Sequence, residues 1–437
     1  MNAPSELSPR AAPAATAPNG CPVSAQAAGF DAFAPAFLAA PADVLRWARE
    51  QEPVFWSPRL GHWVVARYDD VKAVFRDPLL FSPANVLEKV TPATPEVMRT
   101  LQRHGFAMIR TMVNEDEPEH MQRRRLLVEA FRPGQLQGLE GQVRHWVNEA
   151  LDGLVDRGRA DLVAELFHPI PLKAALAFLG VNEEGARRLC AIPLAHTLHT
   201  WGRPTPAEQA EHAENLGRFW QASQDLLQAM MAEPEGRGWM FDAIRQHRLH
   251  PEVVPESYLR TMMMAILSAA HESTTLALAN AAQVLLADRP AWAALCRDPG
   301  LIPNAVEECL RVAGSVMAWR RRTTAPTVLG GVALPRGARL WLVLASANAD
   351  SRHFERPDEL DVQRERAIEH LSFGHGAHQC LGKHLARIQM RVVLQALTQR
   401  LPQMALEEQR LDYLPNICFR GPRALWVRWP RGEALKA

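Results

Sequence analysis

Ten residues near the C-terminus, Phe373-Gly374-His375-Gly376-Ala377-His378-Gln379-Cys380-Leu381-Gly382, restrict what this chain can fold into more than any other stretch. Three glycines around one cysteine demand a tightly turned backbone. Apolar Leu381, Leu385, Ile388 and Val392 then recur at helical spacing, so a helix is expected to start near Leu381. A cysteine at the mouth of a helix meets free N–H groups and the positive end of the dipole, which favour an anionic sulfur ligand. Taken alone, such a cysteine would read as an inert buried thiol. Each glycine has a background frequency of about 7%, so three in register with Phe, His and Cys overturn that reading.

The rest of the composition bounds the function. A chain of 437 residues can bury a core large enough to hold a bulky apolar group. Its 49 basic and 48 acidic residues nearly cancel, which argues against a nucleic-acid binder held by bulk charge. The six cysteines form no C-x-x-C pair and no dense framework, which suggests a reducing cytoplasm. The N-terminal residues 1–28 are rich in Ala, Pro and Ser and read as a disordered arm, neither signal peptide nor anchor. The apolar run 262–270 is shorter than the roughly 20 residues a bilayer span needs.

Along the chain, 53–58 and 62–68 read as short strands, followed by a helix over 69–76 capped by Asp69. From His120 to about Ala287 the pattern is mainly helical, ending in a long helix from Pro255 to Asp288. Beyond Gly314, short β-prone runs joined by Gly and Pro predict a small sheet. The expected class is mainly α with a minor β region. One domain is expected over 29–431, with 432–437 a tail or the start of a linker.

F-G-x-G-x-H-x-C-x-G resembles the haem-binding loop of bacterial cytochromes P-450, and the resemblance extends from about Phe30 to Trp429. It implies the fold of that family, with a long helix over haem b and a small sheet region. It makes Cys380 the thiolate on the iron, so Cys380 is also the metal ligand. Phe373 and Gly374 would line that loop, Gly376 and Gly382 would allow the turn and close approach to the porphyrin, and His378 would reach a propionate.

Three further constellations match the family. Glu308 and Arg311 form E-x-x-R, side by side on a helix. Such a pair alone contributes little, but in the family it is buried and braces the cysteine loop. His120 and Arg124, four residues apart, match the family's propionate site, where a planar guanidinium suits a carboxylate. Arg321 matches a third propionate position, and its neighbours Arg320 and Arg322 leave that register open by one residue.

The polar run Ala269-Ala270-His271-Glu272-Ser273-Thr274 interrupts the long apolar helix. Buried polar groups are costly unless paired, so either the face meets solvent or the hydroxyls bond back to helix carbonyls. The resemblance implies instead the oxygen-activation site, with Ala269 and Ala270 beside the haem and Glu272 as the acid. Ala270 stands where the family usually has Gly, and Ser273 where it usually has Thr, which leaves Ser273 or Thr274 as the proton-delivering alcohol.

By the same analogy Val86, Leu87, Val316, Met317, Ile417 and Phe419 would wall the substrate pocket. Arg123, Arg125, Lys383 and Arg387 would present a basic face to an electron donor. Segments such as VNEDEPEHM, WGRP, MMMAILSAAHEST and IPNAVEECLR are similar to the haem domain of the self-sufficient subgroup fused to a phthalate-dioxygenase-type reductase. The sequence leaves open whether this is a stand-alone relative or part of such a fusion.

The expected activity is a monooxygenase using O2 on a small apolar or aromatic substrate, by hydroxylation or O-dealkylation. Electrons would come from NAD(P)H through a reductase of the FMN and 2Fe-2S type. Partners would be that substrate and the reductase, not nucleic acid or a membrane. Two rivals remain: a peroxide-driven haem peroxygenase, and a non-catalytic haem sensor or carrier.

Overall fold

The long helix expected between Pro255 and Asp288 spans Glu256–Ala287, with those two residues as its caps. It is apolar around most of its circumference, so it is stable only when enclosed. The helices Pro169–Leu179, Pro206–Ala232, Ile302–Ala313 and Lys383–Arg400 pack against it. Leu267, Leu278, Leu285, Val306, Val393 and Leu397 are fully buried in the shared core. The structure is a computed structural model that describes residues 16–193 and 196–431.

The minor β region lies to one side. Its main sheet has five strands in the order Val54–Ser57, His62–Val65, Arg339–Leu342, Trp319–Thr323, Phe81–Ser82. All neighbours are antiparallel except His62–Val65 with Arg339–Leu342. A hairpin of Thr327–Leu329 and Val332–Leu334 turns on Gly330 and Gly331, both at positive φ, which glycine adopts without strain. The helical stretch 120–287 is interrupted by a strand, Arg159–Asp161, which pairs with Trp426–Arg428 near the C-terminus. Among the described residues no helix is long and apolar enough to cross a membrane.

Two expectations need correction. The helix after the first strands is Tyr68–Arg76, and Asp69 lies inside it rather than capping it. The free Tyr68 N–H is accepted by Asp350 at 3.1 Å, so the cap comes from a distant loop. The arm expected over 1–28 does not extend to residue 28. Thr16 bridges Pro22, Ser24 caps a helix at Ala25–Gly29, and Ala27 is fully buried beside Phe30 and Phe55. Ala-rich sequence packs there because small side chains fit flat against aromatic rings. Residues 1–15 and the expected tail 432–437 lie outside the described residues.

Candidate active site

The cysteine loop closes on itself. Cys380 N–H donates to Phe373 O at 2.9 Å, Gln379 N–H to Gly376 O at 3.0 Å, and Gly374 N–H to Leu371 O at 2.7 Å. Gly374 and Gly376 have φ of +67° and +73°. A Cβ on Gly376 would lie 2.5 Å from Phe75 O, so only glycine fits. Gly382 is the N-cap of helix Lys383–Arg400 with φ −76°, which any residue adopts. A Cβ there would meet only the Cys380 sulfur, at 3.9 Å.

Cys380 is surrounded by protein, yet its side chain is accessible. The accessible surface therefore belongs to an internal cavity. Burial pushes this thiol up, opposed by the Gly382 N–H and the cations Arg124, Lys383 and Arg387. The helix mouth alone does not make it a thiolate, whereas coordination to a metal deprotonates such a thiol outright.

Two clamps hold the loop. Glu308 accepts from Arg311 Nε and Nη2, both at 2.7 Å, and the pair is fully buried. Arg311 also donates to the carbonyls of Asn348, Pro357 and Glu359. Arg364, which sequence reasoning missed, donates to Glu308 at 3.0 Å from 56 residues away; no short spacing marks it. A second clamp was also missed. Glu307 accepts from Arg387 Nε at 2.7 Å and Nη2 at 2.6 Å and faces His370. Arg387 in turn lies over the Phe373 ring, 4.7 Å from its centroid. Despite the cost of burial, Arg387 and His370 hold the Glu307 carboxyl down at about 2.

His120, His378, Arg124 and Arg321 converge beside this loop. The two imidazoles stack at 3.7 Å. One nitrogen of each is used: His120 Nδ1 meets Glu117 at 2.9 Å, and His378 Nδ1 meets Met112 O at 3.1 Å. Their Nε2 atoms are buried without a partner among the described residues. Arg124 donates to Gln379 O at 2.8 Å. Burial drives the pKa of His378 down to about 3, with His120 and Arg321 adding to the shift.

Packing separates the three consecutive arginines. Arg320 donates to the carbonyls of Val86 and Glu88, and Arg322 lies 4.0 Å from Glu88. Only Arg321, 2% exposed, stands by the imidazoles.

In the central helix, Ala269 is exposed and Ala270, Glu272 and Ser273 are partly so, although they lie mid-helix in the core. That face therefore borders a cavity. Thr274 is on the buried side, at 4% exposure. Most of the polar run is hydrogen-bonded, although His271 Nδ1 is buried without a partner among the described residues. Ser273 Oγ donates to Ala269 O at 2.5 Å, His271 Nε2 meets His168 O at 3.0 Å, and Thr275 Oγ1 donates to Phe167 O at 3.1 Å. The Glu272 carboxylate accepts from the N–H groups of His196 and Thr197 at 3.1 and 3.0 Å. Desolvation nonetheless raises its pKa to about 7.

The expected pocket walls divide. Leu87 and Val316 are partly accessible, and Phe419 keeps 6% of its surface. Val86, Met317 and Ile417 are at 1% or less, so they support the wall rather than form it. Met317 N–H pairs with Cys418 O and Ile417 N–H with Trp201 O, and Met317 and Ile417 pack in the core that holds Trp341 and Phe37. The expected basic face is also reduced. Arg123 is tied to the buried Glu115 and to Val253 O, and Arg387 to Glu307. Arg125 is exposed, and among the described residues Lys383 Nζ reaches only the Gln379 amide oxygen.

This donor set fits a haem. Two buried imidazole nitrogens have no partner among the described residues, two guanidiniums beside them suit carboxylates, and an accessible enclosed thiol offers a soft ligand for a metal. The comparisons agree. The Cytochrome P450 family model matches residues 280–410. Cytochrome P450 107B1 of Saccharopolyspora erythraea is 30% identical over 88% of this chain and 94% of its own length. An intact type IV self-sufficient cytochrome P450 monooxygenase superposes with a TM-score of 0.95 at 51% identity, covering 97% of this chain. This chain spans 55% of that protein's length. The P450 heme domain of Tepidiphilus thermophilus gives 0.92 at 48% identity, over 93% of this chain and 98% of its own. On these grounds the chain belongs to the cytochrome P450 family of haem monooxygenases.

Proposed function

We propose that this oxidoreductase inserts one oxygen atom of O2 into a small apolar or aromatic substrate, by hydroxylation or O-dealkylation. Electrons come from NAD(P)H through an FMN and 2Fe-2S reductase, fused or separate. The observation that carries the reading is the accessible Cys380 thiol inside the protein, beside four nitrogen-bearing groups suited to two carboxylates. Bound haem supplies the oxygen chemistry, and a thiolate on its iron favours O–O cleavage.

The chain's own residues do the rest. His120, Arg124, Arg321 and His378 would hold the propionates, and the clamps at Glu308 and Glu307 keep the Cys380 loop from moving. Leu87, Val316, Phe419, Ala269 and Ala270 exclude water around the substrate. Glu272, poised near neutrality by burial, stores a proton at its carboxyl. Ser273 Oγ passes a proton from the cavity face, a role its position favours over Thr274. The acid and alcohol together favour O2 over peroxide as oxidant.

The test is spectral and then chemical. The haem-loaded protein, reduced under carbon monoxide, should show the red-shifted Soret band of thiolate ligation, and Cys380→Ser should lose it. Small aromatic ethers and hydrocarbons should give type I shifts, and product analysis should follow. Turnover with peroxide but not with O2 and a reductase would support the peroxygenase. Steady NAD(P)H use without product from any ligand would support a sensor or carrier.

A further inference from the structure

Beside the pocket wall at Leu87 lies a lysine that no carboxylate among the described residues neutralises. The loop through Lys89 is fastened to the helix His196–Trp201. Trp201 Nε1 donates to Val86 O at 2.8 Å and Val90 N–H to Thr200 O at 3.0 Å. Lys89 is half-buried, and among the described residues its ammonium reaches only His199 Nε2, at 2.5 Å. The nearby acids are engaged elsewhere. Glu88 faces Arg339 at 3.4 Å and Arg322 at 4.0 Å. Glu272 is held by two backbone N–H groups.

Around Lys89 the polar atoms are under-used. His196, His199 and His212 each keep a buried Nδ1 with no partner among the described residues. Both His196 and His199 feel the lysine charge, and burial pushes His199 down to about 3. A charge withdrawn from water without a counter-ion is costly. Lys89, His196 and His199 have no acid beside them among the described residues, while Glu211 and Glu208 act on His212 from its outer side, so the inner three form a hole in the protein's own charge pairing.

The cluster adjoins the reaction cavity. His196 N–H reaches Glu272, whose neighbour Ser273 faces that cavity. Trp201, from the same short helix, packs against Phe419 at 5.0 Å and Trp319 at 5.9 Å. An elongated molecule lying along Leu87 and Val316 would bring its far end to Lys89.

We propose that Lys89, with His196, His199 and His212, binds an oxyanion at the far end of the substrate. The favoured substrates are then small aromatic or alkyl compounds that carry a carboxylate, sulfate or phosphate away from the oxidised carbon. This rests on the monooxygenase reading and narrows its substrate class. Lys89 donates to one oxyanion oxygen, and the N–H groups of the neutral histidine rings complete the cradle.

The experiment compares two probes of the same shape, 4-ethylbenzoate and its neutral amide 4-ethylbenzamide. Each is titrated into the haem-loaded chain and followed by the type I spectral shift. A hydrogen bond to a charged group corresponds to roughly tenfold or more in affinity. The benzoate should therefore bind at least about tenfold tighter than the amide. Lys89→Met should erase that preference while shifting the amide by less than about twofold, and His199→Gln should reduce it in part.

Equal affinities in the unmodified protein, no shift with either probe, or an equal loss for both in Lys89→Met would overturn the proposal. So would inorganic phosphate tightening the amide with no benzoate preference, because the site would then serve a free anion. The carbon monoxide spectrum of the same sample tests the monooxygenase reading separately.

Discussion

Glu308 and Arg311 hold each other through two 2.7 Å hydrogen bonds with both side chains fully buried. Neither charge has water to fall back on, and Arg364 adds a second cation to the same carboxylate. Breaking a buried pair by removing one partner strands the other and costs about 3–5 kcal/mol. Arg311→Met should lower the unfolding free energy by that amount, with a correspondingly lower urea midpoint, and abolish haem loading, because the loop 348–364 loses its anchor. Midpoints from circular dichroism, with the haem-to-protein absorbance ratio, check it.

Gly376 is the tightest point of the cysteine loop. Its positive φ and the nearby Phe75 carbonyl leave no room for a methyl. Backbone strain alone costs about 1–3 kcal/mol. Gly376→Ala should therefore shift Cys380 and weaken haem retention, visible as a broadened or displaced Soret band. Gly382→Ala has an ordinary φ, and its methyl would meet only the sulfur. It should leave the stability of the haem-free chain unchanged.

Glu272 gives a pH dependence of known sign. Burial raises its folded pKa from 4.5 to about 7, so the folded state binds its proton more tightly than the unfolded chain does. The benefit of that proton is present at low pH and is lost as pH rises from 4.5 through 7. At about 1.4 kcal/mol per pH unit this amounts to roughly 3 kcal/mol. Relative to Glu272→Gln, the wild-type protein should lose stability across that window and not above it. Paired urea titrations at several pH values decide the point.

Ser273 and Thr274 should separate. Ser273 faces the cavity and Thr274 the packed side. Proton transfer by a positioned group contributes about 100-fold or more, so Ser273→Ala should cut product formed per NAD(P)H by at least about tenfold. Thr274→Ala should change stability more than coupling. Product yield against NAD(P)H oxidised is the readout.

The donor-docking surface should be smaller than the count of basic residues suggests. Arg123 and Arg387 are tied to Glu115 and Glu307, so their loss should act through stability. Neutralising Arg125 and Lys383 together should slow reduction by a partner and flatten its salt dependence. Stopped-flow reduction at several ionic strengths tests this.

Much of the molecule was legible in the linear sequence because local geometry carries it. The cysteine loop, the central helix with its two caps and the E-x-x-R pair each sit within a few residues, where glycine conformation and helical periodicity act directly. What the tertiary structure decided is which groups meet across the chain. Asp350 caps the helix at Tyr68, Arg364 joins Glu308, and His370 and Arg387 share Glu307. Packing also chose Arg321 over its neighbours and moved Met317 and Ile417 from pocket wall to core. Burial and electrostatics depend on distance in space rather than along the chain, so a charge and its partner tens or hundreds of residues away leave no mark in the spacing of either.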